Sequence, residues 1–252
     1  MKTLLLIGIG AGAPEHLTLQ AVEALRRADV FLLLDKGPAK AQLLASRQAL
    51  LAAHVPPGTY RLAEALHPQR EPKADYRASV AELNAGKQAL LEQLLREQVN
   101  EGETAALLVW GDPALYDSSL RIAQCIAEAG RVALDYQVIP GITSVQALAA
   151  AHRVALNEIA GSVVLTTGRR LALGLPADAE SIVVLLDAHN SFLSLNTPGL
   201  HIFWGAYLGL PQQALIAGPL ADVGPRIARE RRALRERHGW IMDTYLLRRV
   251  RA

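Results

Sequence analysis

Short apolar runs alternate along the chain with segments whose apolar residues recur every three or four positions, as strands alternate with amphipathic helices. Residues 3–9 form a nearly unbroken apolar run of strand length. Leu17, Ala21, Val22 and Leu25 then recur at helical spacing, with Glu23, Arg26 and Arg27 pointing away, and residues 29–34 are apolar again. Strand, helix and strand in that order predict a βαβ opening and a parallel sheet. The pattern continues with a helix over 38–53, a short strand over 60–62 and a polar loop over 65–73. A long helix over 74–99 follows, striped by Val80, Leu83, Leu90 and Leu94, then a buried strand over 104–110, a helix over 118–129 stopped by Gly130, and a strand over 132–139.

Beyond about residue 140 the pattern restarts. A helix is predicted over 144–151, strands over 162–166, 181–186, 201–204 and 214–216, a helix over 225–237 and a last strand over 240–247. The expected fold class is therefore α/β in two domains, 1–140 and 141–252.

Composition narrows this picture. Of the 252 residues 51% are hydrophobic and only 5% aromatic, so the core is aliphatic and disorder is excluded. The net charge of +2 is too balanced for a bulk nucleic-acid binder. A single cysteine, Cys125, excludes a disulfide framework, fits a reducing, cytoplasmic setting, and reads as packing inside its helix. The apolar run near the N-terminus is broken by Gly8, Gly10 and Gly12 and is short for a secretory leader, whose apolar region runs about 7–15 residues. No segment reaches the roughly 18 apolar residues of a membrane helix. The seven histidines show no metal-ligand spacing, and no metal is expected.

Three loops carry candidate chemistry. Gly8-Ile9-Gly10-Ala11-Gly12-Ala13-Pro14-Glu15 follows the first strand. It satisfies G-x-G-x-x-A through Gly8, Gly10 and Ala13, and Asp35 ends the second strand, where a dinucleotide enzyme would hold its ribose. An NAD-binding oxidoreductase is thus one reading. Against it, Pro14 lacks an N–H and Glu15 places negative charge where a pyrophosphate would sit. The alternatives are a close-packed turn and a loop shaped for another ligand. Trp110-Gly111-Asp112-Pro113-Ala114-Leu115-Tyr116 ends the 104–110 strand, where open α/β sheets place ligands, and also reads as an ordinary turn. Pro140-Gly141-Ile142-Thr143-Ser144 ends another strand, with Thr143 or Ser144 able to cap the next helix. Arg226, Arg229, Arg231, Arg232, Arg235 and Arg237 crowd one helix, which offers an RNA-binding reading. Glu230 and Glu236 dilute it, and a solvated helix flanking a dimer interface is the plainer account.

Taken in order, GxGxGxP followed by Leu-Thr-Leu, Gly-Asp-Pro-x-x-Tyr, Pro-Gly-Ile-Thr-Ser and Thr166-Thr167-Gly168-Arg169 resemble the tetrapyrrole methylases over the whole chain. Longer strings sharpen the likeness to the deacetylating branch of that family. They are Leu34-Asp35-Lys36-Gly37, the run from Val109 to Ile122, Trp204-Gly205-Ala206-Tyr207-Leu208-Gly209, and Trp240-Ile241-Met242-Asp243-Thr244-Tyr245-Leu246-Leu247. The insert 68–84 also fits, while Asn84-Ala85 depart from the pattern.

The resemblance implies two α/β domains with S-adenosylmethionine between them, in a homodimer, acting on a tetrapyrrole. It implies methylation of C1 of precorrin-5 with loss of acetate, a methylase of another precorrin carbon being the alternative. The cofactor contacts it implies are Pro14, Gly111, Asp112, Leu115, Thr143, Ser144, Asp187 and Ala206, with Asp187 also readable as the N-cap of a helix over 188–195. Asp35 and Lys36 are the candidates for deacetylation, one to activate water and one to hold an oxyanion or carboxylate. Gly10, Arg70, Tyr76, Arg77 and Arg169, with Arg61 and Lys73, are candidates to meet the substrate and its acid side chains.

Overall fold

The computed structural model describes residues 1–35, 37, 41–71, 75–176 and 179–249; Lys36, Lys73 and the predicted helix start at Pro38 lie outside them. The chain forms two compact units, residues 1–10 with 14–142 and residues 11–13 with 143–252.

The first unit comprises β1 (Lys2–Gly8), α1 (Leu19–Arg27), β2 (Val30–Asp35), α2 (Ala41–His54), β3 (Arg61–Leu66), α3 (Tyr76–Gln98), β4 (Thr104–Val109), α4 (Ser119–Ala129) and β5 (Leu134–Ile139). The five strands form one sheet in the order β3-β2-β4-β1-β5, every pair parallel. Helices cover both faces, which is why the central strands read as continuous apolar runs rather than alternating ones. Leu4, Leu6, Leu32 and Leu107 pack with Leu91, Leu95, Ile122 and Ile126 of α3 and α4. Leu5, Ile7, Phe31 and Leu108 pack with Ala21, Leu25 and Leu51 of α1 and α2. Because all five strands run the same way, their carboxyl ends share one edge of the sheet, and the three candidate loops start there.

Two local expectations fail in this unit. The predicted loop over 65–73 begins too early, since Ala65 and Leu66 belong to β3. That strand is at the sheet edge with Ala63 as its one fully buried residue, so its polar alternation reads as loop. Cys125 is exposed rather than packed, because Ile122 and Ile126 take the buried stripe of α4.

The second unit contains α5 (Ser144–His152), β6 (Val163–Thr167), α6 (Gly168–Leu171), β7 (Ser181–Leu185), β8 (Leu200–Ala206), β9 (Ala214–Pro219), α7 (Leu220–His238) and β10 (Asp243–Arg249). Its sheet runs β6-β7-β10-β8-β9, with β6 and β7 parallel and the remaining pairs antiparallel. Helix α7 begins at Leu220, five residues before the predicted start. Pro225 therefore lies inside it rather than opening it, although proline favours the first helical position.

Candidate functional site

The loops after β1, β4 and β5 in the first unit are tied backbone to backbone. Ile9 N–H donates to the Val109 carbonyl at 2.9 Å, and Gly111 N–H to the Gly10 carbonyl at 2.8 Å. Gly10 and Gly111 adopt φ of 81° and 69°, a region that favours glycine. Gly8 and Gly141 serve a different need. A Cβ on Gly8 would stand 2.6 Å from the Gly141 nitrogen, and one on Gly141 would stand 2.1 Å from the Gly111 carbonyl oxygen. Close approach between loops thus accounts for these two glycines.

Asp112 completes the tie. Its Oδ2 accepts Gly141 N–H at 2.9 Å and its Oδ1 accepts Ala114 N–H at 2.7 Å. One donor per oxygen leaves acceptor capacity on both, so Asp112 can position the loops and still meet a hydroxyl or ammonium donor. Leu115 N–H closes the turn onto the Asp112 carbonyl at 3.1 Å. Tyr116 follows in the left-handed region at φ 52°, uncommon for a bulky residue and a local store of strain. Pro14 is exposed and opens a 3-10 turn, Pro14–His16, and α1 starts only at Leu19. The glycine loop therefore does not lead into a helix N-terminus, and the anion cradle that NAD binding requires is missing from it.

The other candidates in this unit divide sharply. Asp35 ends β2 half-buried, its Oδ1 accepting Gly37 N–H at 2.9 Å. Arg70 and Tyr76 come together, the guanidinium 5.2 Å from the ring centre, and both are exposed, as is Arg77. Arg61 is a correction. It opens β3 at the amino edge of the sheet, away from the loops, where it grips Glu103 with two bonds of 2.8 and 3.0 Å. That grip holds the Glu103 carboxyl at about 2, well below the usual carboxylate range. A carboxyl depressed by folding stabilises the native state above its unfolded pKa and loses that contribution as pH falls through the folded value. Glu103→Gln should therefore flatten part of the stability loss between pH about 4.3 and pH about 2, read as the urea midpoint across that range. The effect is small, because the pair is solvent-screened.

In the second unit Thr143 caps α5. Its hydroxyl oxygen accepts Val145 N–H at 3.1 Å and its hydroxyl donates to Gln146, whose side chain returns to the Thr143 N–H. Thr143 is thus engaged as a cap, whereas half-buried Ser144 makes no side-chain hydrogen bond among the described residues. The Asp187 carboxylate is occupied fully. It accepts His189 N–H, Ser191 N–H and the Ser191 hydroxyl at 2.7–3.0 Å and the Tyr245 hydroxyl at 2.7 Å. Four bonds use its lone pairs, so it organises the turn 187–194 instead of the full helix foreseen over 188–195, which is a short 3-10 turn, Ser191–Ser194. Gly168 is glycine for the same reason, a Cβ there standing 2.5 Å from the Asp187 carboxyl carbon. Ala206 is fully buried between β10 and β9 and offers only its backbone. Arg169 is exposed on α6.

Arg231 departs from its helix. The other arginines of α7 are exposed, but Arg231 is buried, donating to Asp243 at 2.8 Å, to Asn190 Oδ1 at 3.0 Å, and to the carbonyl of Asp187. Asp243 also accepts the indole N–H of Trp204 at 2.9 Å. Leu186 and Tyr207, just past the ends of β7 and β8, and Asn190, which precedes the 3-10 turn, lie in the left-handed region, φ 51–55°. Leu186 and Tyr207 carry no sequence signal for that conformation, since bulky residues ordinarily avoid it.

The first unit also holds a pocket of about 110 Å³ between its sheet and helices, lined by Arg47, His67, Lys87, Trp110, Asp117 and apolar side chains. Burial lowers the Arg47 pKa to about 10 and lowers that of Lys87, Asp117 opposing both. Trp110 and Asp117 lie in strings that the sequence singled out, whereas Arg47, His67 and Lys87 did not stand out there. Among the described residues, no three His, Cys, Asp or Glu side chains converge to hold a metal ion, and no helix is long and apolar enough to cross a membrane.

Comparison with known proteins adds a second line of evidence. Residues 3–224 match the family of tetrapyrrole (corrin/porphyrin) methylases. The chain is 44% identical over 249 residues to a precorrin-6A synthase [deacetylating] of Sinorhizobium sp, covering 98% of this chain and 95% of that protein. The crystal structure of a cobalamin-synthesis-related protein, CobF, of Corynebacterium diphtheriae superposes with a TM-score of 0.85 at 39% identity, covering all of both chains. A uroporphyrin-III C-methyltransferase of Thermus thermophilus, solved with S-adenyl homocysteine, shares the fold at a TM-score of 0.57 and 16% identity, covering 97% of this chain and 96% of that one.

Proposed function

We propose that this chain, which belongs to the tetrapyrrole (corrin/porphyrin) methylases, is an S-adenosylmethionine-dependent methyltransferase of cobalamin biosynthesis that methylates C1 of precorrin-5 and releases acetate, giving precorrin-6A. The near full-length likeness to a deacetylating precorrin-6A synthase carries this reading. The homodimer implied by the resemblance and the cytoplasmic setting that the single cysteine fits belong to the same proposal.

When bound, S-adenosylmethionine supplies an electrophilic methyl on a sulfonium. The chain's share is to hold the reacting carbon and that methyl in line, so orientation carries most of the rate. The first unit offers the spare acceptor capacity of Asp112, the backbone of Gly10 and Gly111, and the side chains of Pro14 and Leu115. The second unit offers Ser144 and backbone groups near Asp187 and Ala206, with the side chains of Thr143 and Asp187 serving structure. The spare acceptor capacity of half-buried Asp112 and the absence of a helix N-terminus behind the glycine loop suit a neutral or cationic ligand better than a pyrophosphate.

Deacetylation asks more. Water adds to the acetyl carbonyl carbon, and the bond from that carbon to C1 breaks. The electron pair stays on C1 and forms the new bond to methyl, while the water oxygen leaves in acetate and its two protons pass to a base and to solvent. Asp35 is the proposed base: one oxygen is fixed by Gly37 N–H and the other meets no donor among the described residues. Lys36 is the proposed partner of the oxyanion or of a substrate carboxylate, and Arg70, Tyr76, Arg77 and Arg169 remain proposed substrate contacts. Methyl-labelled S-adenosylmethionine and precorrin-5 should yield labelled macrocycle and free acetate in equal amounts by mass spectrometry. Asp35→Asn should slow acetate release by about 10²–10⁴-fold. Label without acetate would point to methylation of another precorrin carbon, and undiminished acetate release by Asp35→Asn would remove Asp35 from the role.

A further inference from the structure

The pocket in the first unit is built for something its own residues do not supply. It opens beside the carboxyl ends of β2 and β4, with Leu34 and Trp110 in its wall, and draws further lining from α2, α3 and the start of α4. Two cations face one carboxylate there: Arg47 and Lys87 against Asp117.

Their existing partners leave donors over. The guanidinium of Arg47 spends Nε on the Leu108 carbonyl at 3.3 Å and lies 5.9 Å from the ring centre of Trp110. The ammonium of Lys87 reaches the Ser118 hydroxyl at 3.0 Å, one bond for three donors. Asp117 Oδ1 is taken by Ser119 N–H at 2.7 Å. The indole N–H of Trp110 is buried with no acceptor among the described residues. A buried orphan donor and two partly desolvated cations each cost free energy unless an acceptor arrives. The remaining wall is His67, Ser119 and leucine, valine and isoleucine side chains, and its apolar part suits a ligand with a charged head and a short apolar stem.

Size restricts that ligand further. The pocket's volume is about 110 Å³. A carboxylate with one or two carbons fits, and a macrocycle does not. The planar fork of a guanidinium matches a carboxylate better than a spherical anion.

We infer that this pocket is a carboxylate-binding site, in which Arg47, Lys87 and the Trp110 N–H receive an acetate-sized group. Two sources share that chemistry: an acid side chain of the macrocycle, docked to orient it, or the acetate released in the reaction. The choice between the sources rests on the proposed function; the ligand class does not.

The first test uses the full-length protein alone and carboxyl-¹³C acetate, followed by NMR line broadening at constant ionic strength. Wild type should broaden the acetate signal saturably. Lys87→Met, which keeps the apolar stem, should weaken binding by about tenfold or more, as loss of a charge-assisted hydrogen bond predicts. Arg47→Met should do the same, and Arg47→Lys should recover only part. Circular dichroism and melting temperature establish that each variant is folded. Absence of broadening in wild type, equal broadening in folded Lys87→Met and Arg47→Met, or displacement by equimolar chloride overturns the proposal. Turnover then separates the sources. Added acetate that raises KM for precorrin-5 at constant kcat marks a docked side chain, and acetate that lowers kcat at constant KM marks the released product. Acetate binding that is lost in Lys87→Met, in a protein that does not turn over precorrin-5, would sustain the pocket and refute the proposed reaction instead.

Discussion

Gly141→Ala is expected to abolish binding of S-adenosylhomocysteine while leaving most of the secondary structure in place. The new Cβ would stand 2.1 Å from the Gly111 carbonyl oxygen and 2.8 Å from the Gly8 carbonyl carbon. Both neighbours are backbone, so no side chain can swing aside. Overpacking costs typically about 1–3 kcal/mol, and this site lies at or beyond the upper end because three loops must part together. Their separation breaks the Asp112 bond to Gly141 N–H and shifts the Gly10–Gly111 pair, and Asp112 and Gly111 are among the groups proposed to meet the cofactor. Gly102→Ala is the matched control. It sits in the left-handed region at φ 84° with nothing within 4 Å of a Cβ, so it adds backbone strain of about 1–2 kcal/mol and nothing else. Calorimetric titration with S-adenosylhomocysteine should show at least a hundredfold loss for Gly141→Ala and near-normal affinity for Gly102→Ala. Normal affinity in Gly141→Ala would mean that the loop apposition is not part of the binding site.

That contrast also marks what the sequence could disclose. The central strands of the first sheet were legible because burial on both faces leaves them almost wholly apolar. The edge strand β3 was legible only at its start, since polar residues such as Glu64 sit on its open side. The three loops were legible as candidate sites, but not the reason for their glycines. Gly8, Gly111 and Gly141 are far apart in sequence, and only the parallel register of β4, β1 and β5 brings them into contact. Asp112 read as a ligand group, and its second duty, holding a loop 29 residues on, has no local trace. Arg61 was misread for a reason that was available. An arginine that opens a parallel strand lies at the amino edge, opposite the ligand-bearing one. Arg47 and Lys87 were invisible because a cation on an amphipathic helix reads as solvated unless the neighbouring elements are known to close over it.

Arg231 shows the same blindness at greater energetic stake. Among the arginines of α7 it alone is buried, with its side chain 10% exposed and that of its partner Asp243 6% exposed. Arg231→Met should cost about 3–5 kcal/mol, the usual penalty for removing one partner of a buried ion pair. Asp243 would keep only the Trp204 N–H, and Asn190 and the carbonyls of Asp187 and Ala188 would lose their donor. The lost donor also frees the turn that holds Leu186 and Asn190 in the left-handed region. Arg232→Met, one residue along on the exposed face, should stay within about 0.5 kcal/mol of wild type. Asp243→Asn added to Arg231→Met removes the stranded charge while keeping an acceptor for Trp204, and should restore a substantial part of the loss. Urea midpoints for the three variants decide the matter. Equal effects of Arg231→Met and Arg232→Met would return Arg231 to the solvated face. A loss confined to Arg231→Met and relieved by Asp243→Asn would show that this arginine is retained for a buried carboxylate, which leaves the arginine content of α7 a weaker argument for nucleic acid than its sequence suggested.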